Sequence, residues 1–477
     1  MVLNPKDNKN PMNFRTKNFL RKRFQDYYNS TDLAMPHDFI RREWGFIFFD
    51  QMPEVVMRRH KAFSSGGEAA EYIRGMVPAH LYHSAAYYEY PGAGTMKEKQ
   101  WQGADLIFDL DADHLPQVPR SYAEMLDNVK NETMKLLDFL LDDFGFTEDV
   151  ISIVFSGGRG YHIHVHDPKV LSLESAERRE IVDYVSGTGL MTDFLFKPAK
   201  HKVYAEGKFG KKQLESSKRI SSFDDVTGGF GWGKRISQYI IHFMKDISQK
   251  NREEAVNEMV ELIRDYQSKK VSTHHISPDK EELIIRMKTE DDKMGLKRIA
   301  DAVRIPVDDV RNVLIKNNLM NFKRETTVKL NKIRNMAQNP KALEMIGKKG
   351  MIDDPYIFDA VVEKAIENNS INLGSAHTDE PVTADIKRLI RMPSSLHGGS
   401  GMKVVPLTLP EFKKFEPLND AVVFSSREID IEVISPLKPR NSKVEMKGKS
   451  FTVSEGINTL PEYAAIYLMC RGAAEYA

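Results

Sequence analysis

The stretch ADLIFDLDAD, residues 104–113, constrains this chain more than any other. Its apolar run reads as a buried strand, and Asp109, Asp111 and Asp113 follow at alternate positions. Side chains two apart in a strand emerge on one face, so Asp109 and Asp111 are expected to be neighbours. Like charges that close repel unless something positive lies between them, and a divalent cation that prefers oxygen ligands supplies that charge. Two carboxylates sharing such a cation also suit phosphoryl transfer, where one metal activates the attacking oxygen and another steadies the leaving phosphate. Read alone, D-x-D fits an acid-rich strand end or a solvated turn at DADH equally well.

Composition narrows the setting. At 477 residues the chain exceeds one ordinary domain, and two or three structural units are expected. Hydrophobic residues at 41% and charged residues at 29% describe a folded globular protein. The 69 basic and 68 acidic residues leave a net charge of +1, so any nucleic-acid binding must rest on locally sorted charge. A single cysteine, Cys470, excludes an internal disulfide and any multi-cysteine zinc or iron–sulfur site in this chain. The polar, proline-broken start MVLNPKDNKNPMNF lacks the apolar core of a signal peptide. No stretch approaches the ~18 apolar residues of a membrane span. No membrane association and a cytoplasmic location are therefore expected.

Periodicity gives a coarse layout. Residues 14–30 read as a helix, REWGFIFFD and VVMRRHKAF as a strand hairpin, and GEAAEYIRGMV as a helix. Two strands are expected about a glycine-rich loop from AYYEY to the aspartate strand. A long amphipathic helix, capped by Ser121, should run to Phe144. DVISIVFSGGRGYHIHVHD reads as strand, glycine turn and strand, followed by a helix in SLESAERREIVDYVSGTG. Alternating strands and helices argue for a mixed α/β core. Residues 198–235, rich in lysine, glycine and serine, read as a long loop or linker, and Ser237 to about Ala342 as helical. The tail after Ser400 returns to strands and ends in a helix near LPEYAAIYLMCRGAAEY. The expected organisation is a catalytic core in two parts, 1–197 and 345–477, with a loop and helical insertion at 198–344.

Two further segments carry chemistry. In FSGGRGYHIHV three glycines bracket Arg159; glycines let backbone approach a ligand, and exposed amides with one arginine suit a triphosphate. His162, His164 and His166 alternate along the strand that follows. They could form a metal site, but for His164 and His166 an ordinary hairpin is the preferred reading. In HTDEPVTADIKRLIRMPSSLHGGSG, residues 377–401, an acid precedes a short helix carrying Lys387, Arg388 and Arg391, then a proline stop and a Ser-Ser-Leu-His-glycine run. Alone, that segment reads as a solvated basic helix.

Taken together and in this order, the three segments resemble the small catalytic subunit of archaeal and eukaryotic DNA primase, a member of the primase–polymerase superfamily. The family pattern is a D-x-D strand, a Ser-Gly-x-Arg-Gly-x-His hairpin, then Asp-x-x-Val-Thr and (Arg/Lys)-x-Pro-x-Ser-(Leu/Val)-His-x-x-(Ser/Thr)-Gly. This chain has DLD at 109–111, SGGRGYH at 156–162 and DEPVTADIKRLIRMPSSLHGGSG at 379–401. Flanking segments agree, and only the 200–235 loop and the helical middle match weakly.

The resemblance implies a core of two sheets packed to make a cleft, with a helical insertion. It implies that Asp109, Asp111 and Asp379 hold two catalytic Mg2+ or Mn2+ ions. Ser156, Arg159 and His162 would grip the nucleotide's phosphates, with Arg391 and His397 closing from the third motif and Arg59, in MRRHKAF, reaching the triphosphate. Asp113 falls outside the matched pair and reads as a turn residue. The implied activity is DNA-directed primer synthesis from nucleoside triphosphates on a single-stranded DNA template during replication. The implied partner is a primase large subunit, which carries the iron–sulfur cluster. Candidate template contacts are FLRKRFQDYY and EGKFGKKQLESSKR. Two departures stand out: the cysteine-rich zinc knuckle of many relatives is absent, and Gly158 stands where some have a second arginine. Alternative readings are a repair polymerase of the same superfamily that extends rather than initiates chains, a non-catalytic nucleic-acid-binding subunit, and a histidine-dependent metal hydrolase.

Overall fold

The computed structural model describes the chain except residues 1–11, 53–55, 113–118, 192–195, 208–209, 222–230, 270–275, 318, 320–329, 332, 336, 342–354, 372, 374–381 and 435–441. It divides into two compact units, Met1–Thr188 with Ile371–Ala477, and Gly189–Ser370. In chain order the strands are β1 (Trp44–Phe48), β2 (Arg58–Lys61), β3 (Pro78–Ser84), β4 (Ala86–Tyr88), β5 (Trp101–Ala104), β6 (Leu106–Asp111), β7 (Ile151–Phe155) and β8 (Gly160–Val165). They continue with β9 (Phe196–Gly207), β10 (Gly210–Ser221), β11 (Leu389–Arg391), β12 (Val405–Leu407), β13 (Glu428–Val433), β14 (Ser442–Met446), β15 (Lys449–Val453), β16 (Gly456–Pro461) and β17 (Ala474–Tyr476). The fold is a mixed α/β one.

Two four-stranded sheets organise the first unit. One has the order β12-β7-β8-β6 and the other β11-β3-β1-β2. In the first, β6 runs antiparallel to β8, with Asp109 opposite His162 and Asp111 opposite Gly160. The period of two separates the faces: Leu106, Phe108 and Leu110 with Tyr161, Ile163 and Val165 form a buried apolar face. The helix Tyr122–Asp138 packs there and buries Met125, Leu126, Val129 and Leu136. Ser121 caps it by accepting from the Glu124 amide, as the sequence predicts. The opposite face of β6 carries Ile107, Asp109 and Asp111. Ile107 packs with Ala85 and with Ile390 of β11, so a small apolar cluster joins the two sheets beside the aspartates.

A buried ion pair makes a second junction. Arg42 and Asp105 are both fully buried, with Nη2 2.6 Å from Oδ2. Arg42 also donates to the carbonyls of His37, Ser84 and Ala85 and to the Tyr87 hydroxyl. Burial alone would raise the Asp105 pKa, but a hydrogen bond from His166 and the Arg42 charge hold it far below the ordinary carboxylate range.

The third sequence segment folds differently from its predicted helix. Residues 389–391 form β11, with Leu389 opposite Ser84 and Arg391 opposite Tyr82 on β3. Pro393 disfavours helical backbone at Met392, and the edge of β3 offers ladder partners: the Met392 amide donates to Leu81 and the Ala85 amide to Arg388. Tertiary pairing overrides the local helical pattern.

In the second unit, the expected loop over 198–235 is also corrected. β9 and β10 pair along their whole length, from Phe196 opposite Ser221 to Gly207 opposite Gly210. The glycines that read as loop breakers end the two strands where the chain reverses. The helix expected from Ser237 starts earlier, at Gly231. Helix Pro355–Asn369 packs with helices Gly231–Gln249 and Arg252–Lys269. Three further helices, Pro278–Glu290, Leu296–Val303 and Val307–Lys316, share a core of Ile284, Ile299, Ala300, Val303, Val310, Val313 and Leu314. The chain leaves the first unit after Thr188 and re-enters it at Ile371, whose amide donates to the Val185 carbonyl at 3.0 Å.

Candidate active site

A cavity of about 420 Å³ is lined from both four-stranded sheets of the first unit. It brings together Asp109, Asp111, Ser156, Arg159, His162, Arg391 and His397, seven of the nine residues singled out from sequence. Of the other two, Asp379 lies outside the described residues, as does Asp113. Arg59 is not among the lining residues; its Nε and Nη2 lie 3.0 and 3.1 Å from the two oxygens of the buried Glu43. Its Nη2 also donates to the Lys387 carbonyl.

The glycine hairpin between β7 and β8 builds one wall. Gly157 has φ +72°, which favours glycine. At Gly160 a Cβ would lie 1.9 Å from the Leu110 carbonyl oxygen, so only glycine lets β8 approach β6 there. The Ser156 hydroxyl oxygen accepts from the amides of Gly158 and Gly160, both at 3.3 Å. Those bonds use its lone pairs and leave its proton available to a ligand. A Cβ at Gly158 would stand 3.0 Å from His397 Nε2, which gives the missing arginine a physical reason: the space beside residue 158 is filled by the third motif's histidine.

The charged groups interlock. Arg159 Nε lies 3.3 Å from Asp111 Oδ1, and His162 Nε2 lies 3.5 Å from Asp109 Oδ1. The buried Nδ1 of His162 has no hydrogen-bond partner among the described residues. Burial, reinforced by the Arg391 and Arg388 charges, lowers the His162 pKa to about 3. Burial likewise keeps His397 well below its usual value, helped by Arg391, His80, Arg471 and Arg159. The Gly399 amide donates to His397 Nδ1, so the proton of the neutral ring sits on Nε2, beside Gly158. Arg391 donates to His80 Nδ1 at 2.8 Å and lies over the Tyr82 ring. At neutral pH the fixed positive charge thus comes from arginine, while the imidazoles offer neutral N–H groups.

One consequence is acid sensitivity. The unfolded chain protonates His162 near its ordinary value of about 6.5, whereas the folded chain keeps it neutral down to about 3. Its contribution to stability is therefore full above about 6.5 and falls by about 1.4 kcal/mol per pH unit as pH drops toward the folded value. Urea unfolding between pH 7.5 and 5 should show the decline, and it should be shallower in His162→Gln.

Two same-face carboxylates with hard oxygen donors suit Mg2+ or Mn2+. Arg159 stands where positive charge is wanted, 3.3 Å from Asp111, while the neutral ring of His162 faces Asp109. A second acidic and histidine cluster, Asp105, His164 and His166, lies at the far end of the same ladder. Asp105 there is engaged by Arg42, Tyr87 and His166, which is the arrangement of a structural ion pair. Sequence reasoning passed over His80, Tyr82 and Arg471, which also line the cavity. His80 and Tyr82 alternate on β3 in PAHLYHS, a signal that could have been read; Arg471 had none.

Comparison with known proteins accords with this geometry. The profile of the DNA primase small subunit family matches residues 108–409. The chain is 45% identical over 465 residues to the DNA primase small subunit PriS of Methanococcoides burtonii, covering 98% of this chain and all of the relative. It is 44% identical over 472 residues to that of Methanosarcina acetivorans, covering 98% of each chain. It is 37% identical over 473 residues to that of Halobacterium salinarum, covering 98% of this chain and all of the relative. The chain belongs to the DNA primase small subunit family.

Proposed function

We propose that this chain is the catalytic subunit of a DNA primase, a nucleotidyltransferase that makes short primers on single-stranded DNA during replication. The observation that carries the reading is the single cavity that gathers the aspartate pair, the glycine hairpin and the third motif's Arg391 and His397. Asp109 and Asp111, with Asp379, would hold Mg2+ or Mn2+. Bound there, the metals would activate the attacking hydroxyl and offset charge on the α-phosphate and departing pyrophosphate. Ser156 and the Nε2–H of His397 would donate to phosphate oxygens, and Arg159 and Arg391 would supply fixed charge. Arg159 would move from Asp111 toward the phosphates as metal enters. The β6 and β8 pairing keeps Asp109 and Asp111 in register with His162 and the glycine hairpin, which would hold the nucleotide's phosphates beside the metal-binding carboxylates.

The relatives are named as small subunits, which supports a heterodimer with a large subunit, and replication places the pair with DNA in the cytoplasm. Among the described residues no helix is long and apolar enough to cross a membrane. The test is primer-free synthesis on poly-pyrimidine single-stranded DNA with labelled purine nucleotides and Mg2+ or Mn2+, wild type beside Asp111→Asn. Products in the wild-type lane alone support the reading. Extension only from a supplied primer would instead favour the repair-polymerase alternative.

A further inference from the structure

The second unit carries a pattern that primer synthesis does not use. Helix Leu296–Val303 is joined to helix Val307–Lys316 by three residues, Arg304, Ile305 and Pro306. Arg304 takes a left-handed conformation, φ 55° and ψ 57°, and its amide and that of Ile305 both donate to the Ala300 carbonyl. Pro306 then opens the next helix, its carbonyl accepting from the Asp309 and Val310 amides. Helix Pro278–Glu290 packs against both. Ile299, Ala300 and Val303 before the turn and Val310, Val313 and Leu314 after it are buried in one core. Two helices joined by so short a turn and backed by a third make a helix-turn-helix, the motif whose second helix enters the major groove of duplex DNA.

The exposed groups of the module have the chemistry for that partner. Val310, Val313 and Leu314 fix the core face of helix Val307–Lys316, and helical spacing sends Asn312 and Ile315 to the opposite face. Neither is buried, and the Asn312 amide has no hydrogen-bond partner among the described residues. An asparagine amide reads adenine through two hydrogen bonds, and an apolar side chain packs on the thymine methyl. Lys297 and Arg298, in the first turn of the preceding helix, and Arg304, in the connecting turn, are exposed and make no ion pair among the described residues. In this motif the preceding helix crosses the phosphate backbone, where cations are wanted. Arg304 adds a second sign, because left-handed backbone favours glycine and this chain places a cation there. A single strand offers no groove, and the major groove of A-form RNA is too deep and narrow to be read, so the partner that fits is B-form duplex DNA.

We propose that helices Leu296–Val303 and Val307–Lys316 form a helix-turn-helix that binds duplex DNA, a site in a different unit from the primer-synthesis cavity. Fluorescence anisotropy of the full-length protein tests it, with a mixed-sequence DNA duplex of about 20 base pairs, two helical turns, the same sequence as an RNA duplex, and one DNA strand alone. The variants are Asn312→Glu and the double variant Lys297→Gln with Arg298→Gln. Arg286→Gln, an exposed cation on the first of the three helices, controls for charge alone. Losing two phosphate contacts should weaken the DNA duplex roughly tenfold and lower the salt slope by about two. Asn312→Glu, which brings a like charge to the groove, should weaken it at least as much. In both, the RNA duplex and the single strand should stay within about twofold of wild type, as should the DNA duplex in Arg286→Gln. Wild-type duplex affinity in either folded variant, equal weakening of duplex and single strand, or the same loss in Arg286→Gln overturns the proposal. So does wild-type protein that holds the DNA duplex no better than the RNA duplex, a result that would give the exposed face to a protein partner instead. Lys297 and Arg298 are exposed and can be replaced without touching the core, so the double variant carries the test if Asn312→Glu does not fold. Primer synthesis on single-stranded DNA should be unchanged in every variant, so this proposal and the primase reading fail separately.

Discussion

Asp109→Asn and Asp111→Asn should each lower primer synthesis by roughly a thousandfold or more, the scale on which groups that act as a unit at a reacting centre fail together. Asparagine keeps the shape of the side chain and an oxygen but loses the charge that a divalent cation needs. The two side chains are 24% and 31% exposed and share one strand face, so their mutual repulsion is only partly screened. Removing one charge relieves that repulsion but also weakens the contact of Asp111 with Arg159 or of Asp109 with His162, so the variants should melt close to the wild-type temperature while losing activity. The pairing of lower activity with nearly unchanged stability is the expected signature of a metal site. Thermal melts beside a primer-synthesis assay check it; variants that lose activity and stability together would assign the aspartates a structural role.

The second large effect falls outside the cavity. Arg42→Ala should destabilise the protein by about 3–5 kcal/mol, because it strands Asp105 as a buried charge without its principal cation. Five hydrogen bonds from one fully buried guanidinium go with it, including those to Ser84 and Ala85 at the end of β3 and to Asp105 at the start of β6. The loss therefore loosens the junction between the two sheets that frame the cavity. Arg42→Met combined with Asp105→Leu should recover much of the stability, since a buried pair replaced by apolar groups leaves no orphan. Denaturant unfolding of the single and double variants measures both. The pH sign follows from Asp105: its depressed pKa contributes stability above the unfolded value of about 3.9, which is lost as pH falls below it.

The sequence was legible where chemistry and local periodicity coincide. Asp109 and Asp111 could be placed on one face because a strand alternates strictly, and the register with His162 and Gly160 bears that out. The glycines of SGGRGYH could be read as a tight turn because Gly157 takes a left-handed conformation and Gly160 touches backbone. Arg388 and Arg391 read as helical because their spacing permits it, and only the waiting edge of β3 makes the segment a strand. No local pattern announces that Arg59 will be held by Glu43, a residue from the neighbouring strand region. Arg471 is invisible for the same reason. Its place depends on two tyrosines more than three hundred positions apart in sequence, Tyr122 and Tyr467, that only the folded chain brings together.

The hydrogen bond from Ile371 to Val185 gives the second unit a particular status. A chain that leaves the first unit and returns to it at one point imposes no span on whatever lies between. Closing such an excursion costs entropy that grows only with the logarithm of its length. The intervening segment can therefore lengthen, shorten or change its fold without pulling the aspartates away from Arg391 and His397. The division of labour is written into the path of the backbone: the residues that line the cavity sit on either side of a seam, and the seam is already sewn shut.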